Sequence, residues 1–305
     1  MTRRIKSNNR IILILLSVTL ALTGCGGGGS AGGGNRKTMD SCLKPEAGGS
    51  VVYGGGSVSI DASNASDGYI MVKYTGSAPK VKIQISHSGA DTYTYTDKSK
   101  DYQTFPLSEG DGYYKVDVLE NVSGDFYAFL TSTGLDVDIK NEFGAFLYPN
   151  QYVWYEEGDK AIDLARELSG KSSDNLDYVE KVYKKVIKSI KYDNDKAANV
   201  ATDYIPDIDE TLASGKGICF DYASLMSAML RSQGVPTKLV VGYSGQAYHA
   251  WISVWLEEQG WVDNIIEFDG KSWSLMDPTL ASNNSSKSVK KYIGEGSNYV
   301  VKYNY

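Results

Sequence analysis

Between residues 51 and 148 apolar side chains recur at every second position. Val58 and Ile60 alternate with Ser59 and Asp61, and Ile70, Val72 and Tyr74 with Met71 and Lys73. Val81, Ile83 and Ile85 follow the same rule, as do Tyr114, Val116 and Val118, then Leu135, Val137 and Ile139. A period of two marks strands with one buried and one polar face. Breakers separate the runs: Asp67-Gly68, Gly76 with Pro79, Gly110-Asp111-Gly112, Ser123-Gly124 and Gly134. Several short strands of this kind predict an antiparallel β-sandwich. The many tyrosines fit core and sheet positions first, and a carbohydrate-binding face second.

From residue 149 the period changes. Ala161, Leu164, Ala165 and Leu168 recur at helical spacing. Ser172-Ser173-Asp174 offers N-caps for a longer helix whose apolar stripe is Leu176, Val179, Val182, Tyr183, Val186, Ile187 and Ile190. Lys181, Lys184, Lys185, Lys188 and Lys191 lie mostly opposite and read as a solvated face. A third helix follows Gly215-Lys216-Gly217, carries Ala223, Leu225, Met226, Met229 and Leu230, and ends at Gln233-Gly234. Two strands, 238–243 and 249–256, and a strand-like run at 273–276 complete the pattern. The fold class is therefore α+β, with the sandwich at 51–148 and a mixed domain at 149–305.

The N-terminus reads as an address. Arg3, Arg4, Lys6 and Arg10 precede an apolar run at 11–22, too short to span a bilayer and suited to a signal peptide at 1–24. It ends in Leu22-Thr23-Gly24-Cys25, which resembles the bacterial lipobox. That resemblance implies lipidation of Cys25, an anchor in the cell membrane and an extracytoplasmic location. Seven glycines then fall within 26–34. Such a stretch does not pack, so 25–50 is expected to be a flexible tether with a coil span of about 28 Å.

Composition narrows the chemistry. Hydrophobic residues make up 42% and charged residues 22%, the balance of a chain with a substantial core. A formal charge of −6 argues against nucleic acid as a partner. Three cysteines and two histidines exclude a disulfide framework and a Cys/His-rich zinc site. Any imidazole chemistry falls to His87 or His249. His87 lies in Ser86-His87-Ser88-Gly89 with no carboxylate or thiol nearby in sequence, and reads as a turn histidine. Cys42 is assigned no role. Cys219 stands at the start of a helix, where free N–H groups and the helix dipole are expected to lower a thiol pKa. Asp193, Asp195, Asp207, Asp209 and Glu210 form an acidic stretch before it that reads as a solvated loop, without the spacing of a calcium loop.

Taken together, Gly217-Ile218-Cys219-Phe220-Asp221-Tyr222-Ala223, His249-Ala250-Trp251 and Asp277-Pro278-Thr279 resemble the core of the transglutaminase-like superfamily. The resemblance runs from about residue 155 to 280. It implies a papain-like domain in which a nucleophile helix packs on an antiparallel sheet, and a Cys219, His249, Asp277 triad. The 28-residue interval from His249 to Asp277 also contains Asp263, an alternative orienting carboxylate; Asp277 matches the pattern better. The backbone N–H of Cys219 is an oxyanion donor candidate, and Tyr192 a second. The triad requires no metal or cofactor. The resemblance implies acyl transfer on a protein or peptide substrate at the cell envelope, with hydrolysis of peptide or isopeptide amides expected first. A cross-linking transglutaminase and a catalytically idle binding or adhesion module are the alternatives.

Overall fold

A computed structural model describes residues 34–244, 246–268, 273–275 and 299–305. The signal segment and Cys25 lie outside the described residues. Strands β1 (Val52–Gly55), β2 (Val58–Asp61), β3 (Tyr69–Tyr74) and β6 (Gln103–Pro106) form one antiparallel sheet in that order. Strands β5 (Tyr93–Asp97), β4 (Val81–His87), β7 (Gly112–Ser123) and β8 (Phe126–Val137) form a second. The alternation seen in the sequence is the burial pattern. Ile60, Ile70, Val72, Val81, Ile83, Val116 and Val118 are wholly buried, and Tyr74, Tyr95 and Tyr114 are core residues. The tyrosines of this half thus do largely what strand-forming aromatics do, filling the space between pleated layers.

The second half supplies α1 (Lys160–Gly170), α2 (Asn175–Ser189), β9 (Lys191–Tyr192), α3 (Asn194–Asn199), α4 (Ile208–Ser214), β10 (Lys216–Gly217) and α5 (Cys219–Ser232). A five-stranded antiparallel sheet follows, ordered β14 (Trp273–Leu275), β13 (Gly260–Phe268), β12 (Ala247–Leu256), β11 (Thr237–Ser244) and β15 (Tyr299–Asn304). Strand β12 is central and packs against α5. Its residues 249–254 are all buried, as expected for a strand covered on both faces. The acidic stretch is not a loose loop. Asp193 caps α3 through the Lys196 N–H and Asp207 caps α4 through the Glu210 N–H, at 2.9 and 2.8 Å. Asp209 accepts from Lys160 and Ala161 N–H at 3.0 and 2.9 Å, satisfying free donors at the start of α1.

Helix α5 is buried along 221–232. Tyr178 of α2 donates to the Met229 carbonyl and Tyr222 of α5 to the Ile190 carbonyl, both at 2.6 Å. Arg231, 1% exposed, donates to the carbonyls of Thr237, Tyr148 and Tyr305 at 2.8, 3.3 and 2.5 Å. Burial pulls its pKa down to about 10, so it remains a cation at neutral pH. The two halves meet through aromatic contacts. Tyr95 of β5 stacks on Tyr152 at 5.5 Å and meets Tyr305 edge-on at 5.7 Å. Phe143 packs on Trp255 at 5.0 Å, and Lys238 sits 5.0 Å over the Phe146 ring.

Residues 34–50, expected as the end of a flexible tether, instead pack first on the helical layer and then on the sandwich, where the Glu46 N–H donates to the Tyr69 hydroxyl at 3.2 Å and the Gly49 N–H to the Asp61 carboxylate at 2.7 Å. Gly34 N–H donates to the Gly170 carbonyl at 3.1 Å and Arg36 N–H to the Ser172 carbonyl at 3.0 Å. The Arg36 guanidinium reaches Asn175 Oδ1 at 2.8 Å, the Gln233 carbonyl at 2.5 Å and the Ser169 hydroxyl, and lies 4.5 Å over the Tyr178 ring. One arginine with several charge-assisted bonds outweighs the glycine-rich composition before it. Replacement Arg36→Ala is expected to lower stability by about 1–3 kcal/mol in urea unfolding and to open 36–50 to limited proteolysis. An unchanged midpoint and cleavage pattern would show that this strap is not stabilising.

Candidate active site

The site grows from the first turn of α5. Ile218 is its N-cap and Cys219 its first residue, so the sulfur stands where the helix has unpaired donors. Asp221 turns back, and its carboxylate accepts from the Ile218 N–H at 2.8 Å. Gly217 makes room for this return, since a Cβ there would lie 2.8 Å from that of Asp221. Strands β9 and β10 pair in parallel, with Tyr192 opposite Gly217. The bond from Asp193 N–H to the Gly217 carbonyl, 2.9 Å, fixes this register beside the nucleophile. Tyr192 and Cys219 line the same cavity, so the two oxyanion donor candidates are neighbours.

His249 comes from β12, opposite Gly242 of β11. A side chain at position 242 would collide with the Val300 carbonyl, 2.0 Å from the added Cβ, and crowd the Trp251 ring. The His249 ring lies near-parallel to Trp251 at 6.2 Å and is 9% exposed. Its Nε2 has no hydrogen-bond partner among the described residues. The next residue, Ala250, lines the same cavity, and its backbone N–H favours the Cys219 thiolate. Cys219 and His249 therefore line one cavity of about 510 Å³. Asp277 lies outside the described residues. Asp263 is exposed and accepts from the Ser253 hydroxyl at 2.7 Å; no hydrogen bond joins it to His249 among the described residues.

The electrostatics correct one expectation from the sequence. Burial pushes the Cys219 thiol up from its ordinary value, and the nearby Asp221 charge adds to this. The N–H groups of Ala250, Phe220 and Cys219 act in the opposite sense and do not prevail. Helix-end donors stabilise a thiolate, but desolvation costs more where the sulfur is mostly enclosed. Burial likewise lowers the His249 pKa. Both shifts favour the uncharged thiol and imidazole at rest. Cys42 is a second free thiol, pushed up to about 12 by burial and by its bond to Glu157.

Sequence reasoning missed the polar cluster behind the nucleophile. Asp221 is fully buried and also holds Lys196 Nζ at 2.8 Å and the Tyr204 hydroxyl. Lys196 donates to the same hydroxyl at 2.7 Å. These contacts fasten residues 196–204, one wall of the cavity, to α5. The motif position of Asp221 was visible, but its partners lie 17 and 25 residues away. The aromatic wall was missed as well: Tyr152, Phe220, Tyr248 and Tyr305 line the cavity from distant parts of the chain. His87 stays outside the site, with Nε2 3.2 Å from the Asp111 carbonyl.

A cysteine at a helix start and a histidine on a neighbouring strand of the sheet it packs on share one cavity, as the papain-like α+β fold expected from the sequence requires. Residues 162–264 match the model of the transglutaminase-like superfamily, and the chain carries a domain of that superfamily. A protein-glutamine gamma-glutamyltransferase of Pseudomonas aeruginosa is 35% identical over 60 residues, covering 15% of this chain and 9% of its own length. A UPF0252 protein of Methanocaldococcus jannaschii is 32% identical over 111 residues, 32% of this chain and 31% of its own. The chain thus spans less than a third of the curated relatives it matches. Among solved structures, a candidate cysteine protease of Cytophaga hutchinsonii aligns over 78% of this chain and 83% of its own, with 15% identity and a TM-score of 0.37. A candidate protease of Parabacteroides distasonis aligns over 62% and 36%, with 16% identity and a TM-score of 0.29.

Two outcomes test the site. Because the thiolate is the reactive form, a raised pKa means that iodoacetamide alkylation of Cys219 keeps accelerating with pH, with its inflection above 9.0. Cys42, held higher, is expected to react more slowly throughout. A rate plateau already reached below pH 7 would instead reveal a resting thiolate–imidazolium pair. Separately, Asp221→Ala strands a lysine, a phenol and a backbone donor, and is expected to cost about 3 kcal/mol or more, with Tyr204→Phe losing about 1 kcal/mol. Equal and negligible losses in urea unfolding would refute the role given to this cluster.

Proposed function

We propose that the chain is a cysteine acyl-transfer enzyme that hydrolyses peptide or isopeptide amides through Cys219, His249 and Asp277. The observation that supports this most is the shared cavity of Cys219 and His249 at the start of a buried helix. The Cys219 sulfur attacks the amide carbonyl carbon as its proton passes to His249. The carbonyl oxygen becomes an oxyanion, for which the Cys219 N–H and the Tyr192 hydroxyl are the donors, each worth about 3 kcal/mol in the transition state. Collapse breaks the C–N bond, and the amine leaves with the proton from His249. A water, deprotonated by the same imidazole, then releases the acid and restores the thiol. Asp277 holds the imidazole in the tautomer that can accept at one nitrogen. The uncharged resting pair suits this scheme, since proton transfer accompanies attack rather than preceding it.

Water as the second acceptor is supported by the open rim, where Tyr248 and Val200 are 61% and 38% exposed. A second reading, transfer of a glutamine acyl group to an amine, is favoured by the short match to the glutamyltransferase of Pseudomonas aeruginosa. The site would work at the cell envelope, on an extracytoplasmic face, with Cys25 lipidated and the glycines after it as a spacer. The test is a peptide library incubated with a labelled primary amine. Cys219→Ala is expected to lower turnover at least 1000-fold without changing the unfolding midpoint. Shortened peptides without bound label support hydrolysis. Incorporated label on full-length peptides overturns it in favour of cross-linking.

A further inference from the structure

The cavity around Cys219 has a chemistry that the acyl-transfer reading leaves open. Its floor is aromatic: Tyr152 meets Phe220 at 5.3 Å and Tyr305 at 4.8 Å, both edge-on. Its outer wall carries Ala197, Val200 and Ala201, and Tyr248 stands on the rim. Among the described residues that line it, none bears a formal charge; Cys219, His249 and a few hydroxyls are its only side-chain groups of polar character. Among the described residues, Lys196 and Asp221 stand beside this lining and are spent on each other. An acidic or basic substrate side chain entering here would lose water and find no counter-charge, whereas a ring would meet other rings at favourable angles. The volume of about 510 Å³ holds more than one side chain and lies within the usual range for ligand sites.

We propose that this cavity selects an aromatic or large aliphatic substrate side chain beside the scissile carbonyl and rejects acidic and basic ones. The proposal rests on the acyl-transfer reading for the identity of the bound group, but its test does not need turnover. Acetyl-capped phenylalanyl, leucyl, glutamyl and lysyl chloromethyl ketones present one electrophile with four side chains. The Cys219 sulfur forms a C–S bond to the methylene carbon, chloride leaves, and the thiol proton goes to His249 or solvent. Adduct formation at Cys219 is followed by mass spectrometry of the full chain, with iodoacetamide as the reagent lacking a side chain. The phenylalanyl and leucyl reagents are expected to react at least 10-fold faster than the glutamyl and lysyl ones. Equal rates, or a faster charged reagent, overturn the proposal. Ala201→Lys, at an exposed wall position, is expected to narrow the phenylalanyl-to-glutamyl ratio at least threefold; an unchanged ratio also overturns it. Failure of the catalytic reading looks different: Cys219→Ala would retain turnover, while the reagent ratio still reports what the cavity prefers.

Discussion

The constraint on which this molecule turns is a helix buried along nearly its whole length that nonetheless carries a charge near each end. Asp221 stands in the first turn of α5 and Arg231 in the last. Each is on the side that the helix dipole favours. Neither is compensated by the dipole alone. Asp221 gathers a backbone N–H, a lysine and a phenol, and Arg231 gathers three carbonyls, from β11, from the residue after β15 and from the segment leaving the sandwich. A buried charge is tolerated only when its lone pairs or protons are matched, so these partners have to arrive in register. Satisfying them fixes the sheet at one end of α5 and the cavity wall at the other. Cys219, in the first turn of the same helix, inherits its position from that requirement.

The same burial sets the protonation state. Enclosing Cys219 gives its sulfur three backbone donors but also strips it of water, and the second effect is larger. A helix N-terminus therefore orients this thiol without ionising it at rest. His249 is treated alike, since enclosure lowers its pKa and favours the neutral imidazole. The two shifts oppose the formation of an ion pair until something supplies charge stabilisation.

What the sequence disclosed, and what it hid, divides by range. The alternation of Ile70, Val72 and Tyr74, or of Val81, Ile83 and Ile85, is a local record of burial, and the strands follow it. Gly217 to Asp221 is equally local, because the glycine, the cap and the carboxylate form one turn. Arg36 is the opposite case. It sits among residues that look like linker, and its partners are at Ser169, Asn175 and Gln233. No periodicity announces a bond across 139 positions. The acidic residues 193–210 looked solvated because a carboxylate count does not distinguish a free side chain from a helix cap. The hairpin of β7 and β8 was likewise only half visible, since Phe126 and Phe129 are exposed and break the alternation.

The aromatic contacts give the sandwich a place in the site that its strand pattern did not suggest. Tyr95 projects from β5 onto Tyr152, and Tyr152 touches Phe220, the residue after the nucleophile. The carbonyl of Tyr152 also accepts from the Ser224 hydroxyl of α5 at 2.6 Å, so the ring is held from both directions. Tyr305, the residue after β15, closes the same group and is in turn held through its carbonyl by the Leu239 N–H and the Arg231 guanidinium. Side chains in such a cluster move only if their neighbours move, because the interior is close-packed. The floor of the cavity is thus built jointly by the N-terminal sheet, the linker after it and the last strand. Removing the sandwich would take away Tyr95, leave one face of Tyr152 exposed, and loosen the surface on which a substrate side chain would rest. Cys219 and His249 share this cavity, but its shape is a property of both halves of the chain.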